Sequence, residues 1–102
     1  MTMEGSLDTV LHPPARLKIA AVLSRVDEVE FATLREIVDV SDSVLSKHLS
    51  ALGEAGYVAL RKAPVDGRQR TSASLTASGR KAFRAHAAAL QALIESAQQA
   101  AP

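Results

Sequence analysis

Leu45, Leu49 and Leu52 fall at i, i+4 and i+7, the spacing of one buried helical stripe. Ser41 before them is an N-cap type, Asp42 suits the positive end of a helix dipole, and Gly56 is a natural C′ residue. Together they predict a helix over Asp42–Ala55. Upstream, Leu17, Ala20, Ala21, Leu23 and Val26 lie near helical spacing behind Pro13 and Pro14. Proline suits a first helical turn, so a helix is expected over Ala15–Val26. Thr33 and Glu36 form a capping box, which opens a short helix at Leu34 with Leu34, Ile37 and Val38 turned inward. Phe31, isolated after a polar loop, reads as a short strand or an anchor.

Beyond Gly56 the pattern changes. Tyr57–Arg61 reads as a strand, Pro64, Asp66 and Gly67 as turn chemistry, and Thr71–Leu75 as the return strand. Arg68, Gln69 and Arg70 are then expected on the loop between them, at its tip. Thr76 caps a last helix from Ala77 to about Gln99. Phe83, Ala87, Leu90, Leu93, Ile94, Ala97 and Ala100 make an apolar stripe on it, close to a heptad. One small domain cannot easily cover such a stripe; a second copy can, and two-fold dimers are the commonest solution. Leu7, Val10 and Leu11 are expected to join that interface. The chain thus reads as one domain over 1–102, with an N-terminal segment 1–12 and a dimerisation helix 76–100.

Helix, short strand, helix, helix, hairpin, helix is a winged helix-turn-helix order, mainly α with a small β-hairpin. Composition agrees. Of 102 residues 47% are hydrophobic but only 3% aromatic, so the core is built from Leu, Val, Ile and Ala, and platforms for stacking single-stranded bases are disfavoured. There is no cysteine, which excludes disulfides, thiolate catalysis and Cys-ligated zinc. The apolar runs are far short of a membrane span and the N-terminus lacks the pattern of a signal peptide. A cytoplasmic protein with no membrane association is the expectation. The net charge of +1 conceals an asymmetry: between Arg61 and Arg84 seven basic residues face the single acid Asp66, while the rest holds five basic and ten acidic residues. Such a patch is either a phosphate-binding footprint or a solvated basic face.

The stretches "LSKHLSALGEAGYVALRK" and "DGRQRTSASLTASGRKAF", with the helix that follows, resemble winged-helix transcriptional regulators related to the MarR and ArsR families. The resemblance spans roughly residues 7–95. It implies a dimeric repressor or activator that sets its third helix in the DNA major groove and its wing near the minor groove. The residue chemistry is compatible. Ser43, Val44, Ser46, Lys47 and Ser50 lie off the leucine stripe; serines can bond bases or phosphates, Val44 can touch a thymine methyl, and Lys47 can pair with a phosphate or a guanine. Arg68 and Arg70 suit phosphate or narrow-minor-groove contacts. Two such helices about 34 Å apart match half-sites one turn apart, so a pseudo-palindromic duplex is the expected partner.

Plainer roles stand beside these. Ser41 is first a cap and Asp42 a dipole partner. His48, beside the leucine stripe, fits packing or DNA contact. Arg61 and Lys62 suit solubilising an edge strand. Arg80, Lys81 and Arg84 suit either DNA steering or a solvated helix. His12, His48 and His86 are widely separated, with no HExxH, phosphate loop or GxGxxG, so neither catalysis nor a cofactor is expected. A His12–His86 pair across a dimer has too few ligands for a metal site. A small-molecule effector between the last helix and the DNA-binding body stays open as an alternative, without support in the sequence. The rival class is a winged-helix module for protein contacts or for nucleic acid without sequence preference.

Overall fold

In a computed structural model, which describes residues 7–100, the chain forms four helices and three strands. They are α1 (Pro14–Leu23), β1 (Val29–Glu30), α2 (Phe31–Val38), α3 (Asp42–Glu54), β2 (Val58–Val65), β3 (Arg68–Leu75) and α4 (Ala77–Ala100). Residues 1–6 of the expected N-terminal segment, and 101 and 102, lie outside the described residues.

The sheet is antiparallel in the order β1-β3-β2. β2 and β3 pair along their whole length, from Val58 opposite Leu75 to Val65 opposite Arg68, and β1 adds Val29 opposite Ala73 and Glu30 opposite Ser72. The turn is Asp66-Gly67 alone, both with positive φ (53° and 77°), a two-residue geometry that matches the twist of paired strands. The hairpin is therefore longer than expected: Arg68 and Arg70 are strand residues, not loop-tip residues.

Leu11, Ile19, Leu23, Leu34, Leu45 and Leu52 are fully buried and, with Val38, Leu49, Val58, Ala73 and Leu75, make one core under the sheet. Truncating any of these leucines to alanine costs about 2–5 kcal/mol. Leu11 is thus a core residue of its own chain, not an accessible interface residue.

Other expectations need correction. α1 stops at Leu23, so Val26 lies in the exposed loop beyond it, and Ile19 belongs to the core. The proposed capping box does not form: α2 opens at Phe31, Glu30 occupies its N-cap without a side-chain bond, and Thr33 lies inside the helix. The pairing of β1 to β3 delivers the chain into α2 at Phe31, ahead of that box. With Leu34 and Val38 facing the core, Ile37 points outward. The α2–α3 turn has no glycine because Asp39 takes the left-handed conformation itself (φ 63°, ψ 57°), which aspartate tolerates better than most residues.

α4 is held to the body at its first turn. The Thr76 hydroxyl donates to the Gly56 carbonyl (2.6 Å) and accepts from the Gly79 amide (2.9 Å), while the Thr76 amide donates to the Tyr57 carbonyl (3.0 Å). A Cβ on Gly79 would run into that same Tyr57 carbonyl, so the close approach requires glycine there. Arg80 reaches across to the open end of α1, donating to the Ser24 and Val26 carbonyls (3.3 and 3.1 Å). It braces two helices and is not a free cation for steering DNA.

Candidate nucleic-acid interface

The geometry of α3 is set at its first turn. The Ser41 hydroxyl accepts from the Val44 amide (3.2 Å), and Asp42 forms an ion pair with Arg35 of α2 (2.9 Å). With Leu45, Leu49 and Leu52 buried, Ser43, Ser46, Lys47 and Ser50 fall at i, i+3, i+4 and i+7 on the opposite side, all exposed, with Val44 exposed beside them. These five side chains form one outward stripe, as the sequence pattern required. α3 is 13 residues long, about 20 Å at 1.5 Å per residue, and that fits a major groove.

His48 takes the packed role rather than standing free. Its Nδ1 accepts from Arg16 Nε of α1 (3.1 Å), which joins the two helices. Burial, then the charges of Arg16 and Lys47, push its pKa below the usual histidine value, so the ring stays neutral near pH 7.

The hairpin stands beside α3. A cleft of about 500 Å³ lies between them, lined by Ser46 and Ser50 of α3, Leu60, Gln69 and Arg70 of the hairpin, and Glu30. Alternation puts Lys62 opposite Thr71 on the sheet face that also carries Leu60, and Arg61, Arg68 and Arg70 on the other. Two of the arginines are already engaged. Arg61 forms a two-pronged pair with Glu28 (2.8 and 2.7 Å), which holds the Glu28 carboxyl below its usual pKa, and Arg70 Nη1 meets Glu30 Oε1 at 3.4 Å. Among the described residues Lys47, Lys62 and Arg68 have no carboxylate partner. Sequence reasoning had set Lys62 aside; only the register of the hairpin distinguishes it from Arg61.

The expected interface residues divide. Phe83 is half-buried and, with Val10, packs against the core of its own chain. Leu90 is half-buried, Ala87 is exposed, and every residue from Gln91 to Ala100 is exposed, including Leu93 (53%), Ile94 (46%) and Ala97. α4 projects well beyond the body, and the molecule measures 60 × 25 × 21 Å.

The sequence reading considered His86 only as a possible metal ligand with His12 and gave it no place in the packing. It is 1% exposed, on the inner side of α4, and its Nδ1 accepts from the Asp8 amide (2.9 Å). The Asp8 carboxylate accepts from the Tyr57 hydroxyl (2.6 Å) and from the Val10 and Leu11 amides (2.8 and 3.2 Å). Burial and then His12, whose ring lies 5.5 Å away edge to face, lower the pKa of His86. Both histidines belong to one chain, not to opposite sides of a dimer. Among the described residues no three His, Cys, Asp or Glu side chains cluster as metal ligands, and no helix is long and apolar enough to cross a membrane.

Comparison with known proteins bears on this geometry. The family model described as a winged helix DNA-binding domain matches residues 15–94. An uncharacterized protein of Methanocaldococcus jannaschii is 35% identical over 75 residues, which cover 74% of this chain and 82% of that protein. The structure of a transcriptional regulator homologue from Pyrococcus horikoshii matches with a TM-score of 0.81 and 26% identity, over 85% of this chain and 86% of that one. A MarR-family transcriptional regulator from Silicibacter pomeroyi matches with a TM-score of 0.63 and 26% identity, over 91% of this chain and 62% of its own.

Proposed function

The chain belongs to the winged helix DNA-binding domain family, and from that premise we propose that it is a sequence-specific transcriptional regulator, related to the MarR family, that binds double-stranded DNA as a homodimer. α3 enters the major groove and the β2–β3 wing lies along the adjacent minor groove and backbone.

The observation that carries this reading is the outward stripe of α3. Ser43, Val44, Ser46, Lys47 and Ser50 are exposed together while the leucines behind them fill the core. Apart from a hydroxyl contact of 3.3 Å between Ser43 and the cap residue Ser41, these side chains make no hydrogen bond or ion pair among the described residues, and their chemistry suits base edges and phosphates. Lys47 on α3, Lys62 on the sheet face that carries Leu60, and Arg68 on the other sheet face beside the hairpin turn add charges available to phosphate. The dimer is supported by α4: Leu93 and Ile94 sit on a helical extension that is exposed from Gln91 to Ala100, and pairing with a second copy removes them from water.

Competition binding tests the reading. Duplexes selected from random DNA by the purified protein are titrated against an excess of unselected duplex. A sequence-specific regulator holds its selected site through the competition. A nonspecific binder loses it in proportion to competitor, and a protein-contact module shows little affinity for either duplex even at low salt.

A further inference from the structure

Three acids stand on or beside the surface assigned to DNA, each against an arginine. They are not equivalent. Asp42 pairs with Arg35 at 2.9 Å in the first turn of α3, where a negative charge also favours the helix dipole. Glu28 grips Arg61 through two bonds of 2.7 and 2.8 Å at the base of the wing. Glu30 touches Arg70 through one long contact of 3.4 Å between two exposed side chains.

Glu30 also borders the cleft that Ser46 and Ser50 share with Gln69 and Arg70. A DNA strand running between α3 and the wing brings its phosphates to that cleft. At the N-cap position of α2 its charge favours the helix dipole, as that of Asp42 does for α3. Glu30 makes no side-chain cap bond for α2 and is not buried.

We propose that Glu30 is a specificity-determining residue that holds Arg70 in the free protein and competes with DNA phosphate for it. The proposal rests on the DNA-binding reading above. Exposed ion pairs are weak, and arginine bonds phosphate with two prongs, so a closely fitted duplex can take Arg70 from Glu30. Glu30 is then left unpaired against an anionic strand. Freeing Arg70 carries that penalty on any duplex, so arbitrary sequence leaves Arg70 on Glu30, and only a duplex whose base edges engage the α3 stripe gains contacts that offset it. Arbitrary sequence is rejected by the cost of an unpaired charge, a common route to discrimination. Lys62 and Arg68, without acid partners among the described residues, supply the sequence-independent attraction.

The test is a salt series of fluorescence-anisotropy titrations on a random-sequence duplex, with wild type, Glu30→Gln, Arg70→Ala and the double variant. Glu30→Gln is expected to tighten binding about three- to tenfold at low salt and to steepen the log–log salt slope by about 0.9, one added phosphate contact. Arg70→Ala alone is expected to leave the slope near wild type, and the double variant to lose the gain. Glu30→Ala gives a second reading in the same direction, and thermal melting confirms that each variant is folded. The proposal is overturned if Glu30→Gln leaves random-duplex affinity unchanged or lower, or if its gain survives removal of Arg70. Failure of the DNA-binding reading is distinct: the wild type then binds no duplex in a salt-dependent way, selected or random.

Discussion

Lys47 and Arg68 are both exposed cations without acid partners among the described residues, yet they stand on different elements and answer different questions. Lys47 is in the middle of the α3 stripe, so Lys47→Ala should weaken binding and also change the preference among selected sites. A base contact of this kind is worth about 1–3 kcal/mol. Arg68 lies opposite Val65 beside the hairpin turn, on the wing rather than on the α3 stripe. Arg68→Ala should weaken binding about equally on every sequence and reduce the salt slope by about one. Anisotropy on a selected duplex and on single-base variants separates the two. His86 and His48 carry a pH dependence whose sign is fixed by burial. Their folded pKa values lie below the usual 6.5, so the unfolded chain takes up protons first as pH falls. The stability tied to the neutral rings is complete above that value and lost as pH drops through the folded pKa. Melting temperature should therefore fall between about pH 7 and pH 5. His86→Asn, which keeps an acceptor for the Asp8 amide, should flatten part of that fall.

Elements differ in how openly the sequence announces them. α3 was legible almost in full because cap, stripe and terminating glycine agree: Ser41 bonds Val44, three leucines are buried, and Gly56 has φ 81°. Ser41→Ala should cost about 1 kcal/mol in a denaturant melt. α2 was displaced by three residues because a long-range event sets its start. The two residues of β1 pair with β3, some forty positions away, and no local signal competes with that. The wing was read too short for a different reason. Its outer half lies beyond the core and is wet on both faces, so Arg68, Gln69 and Arg70 show no apolar alternation although they are fully paired. His86 hid because a buried histidine in an alanine-rich helix resembles a polar surface position until its Asp8 partner is known. The Thr76–Gly79–Arg80 segment was recognised as a motif, and its mechanics emerge from the contacts. Gly79→Ala should destabilise by about 1–3 kcal/mol, because the methyl meets the Tyr57 carbonyl, backbone that cannot easily yield. A melt beside Ala85→Gly, at an exposed site on the same helix, separates that clash from helix propensity.

For the molecule as a whole, the body and α4 divide the work. The body packs one core and presents α3 and the wing; α4 is tied down at Thr76, Gly79 and Arg80 and then runs free from Gln91 onward. Leu93→Glu together with Ile94→Glu should leave the body folded and shift the proposed dimer to monomer at micromolar concentration in light scattering. Selected-site affinity should fall with it, since two weak halves are no longer linked. The central claim is that two α3 helices read one duplex, and a hydroxyl-radical footprint of the wild-type protein on a selected site tests it most directly. We expect two protected patches on one side of the duplex, centred about one helical turn, 10 to 10.5 base pairs, apart or a whole multiple of that. A single uninterrupted patch, or protection that drifts along the fragment without a fixed register, would contradict it.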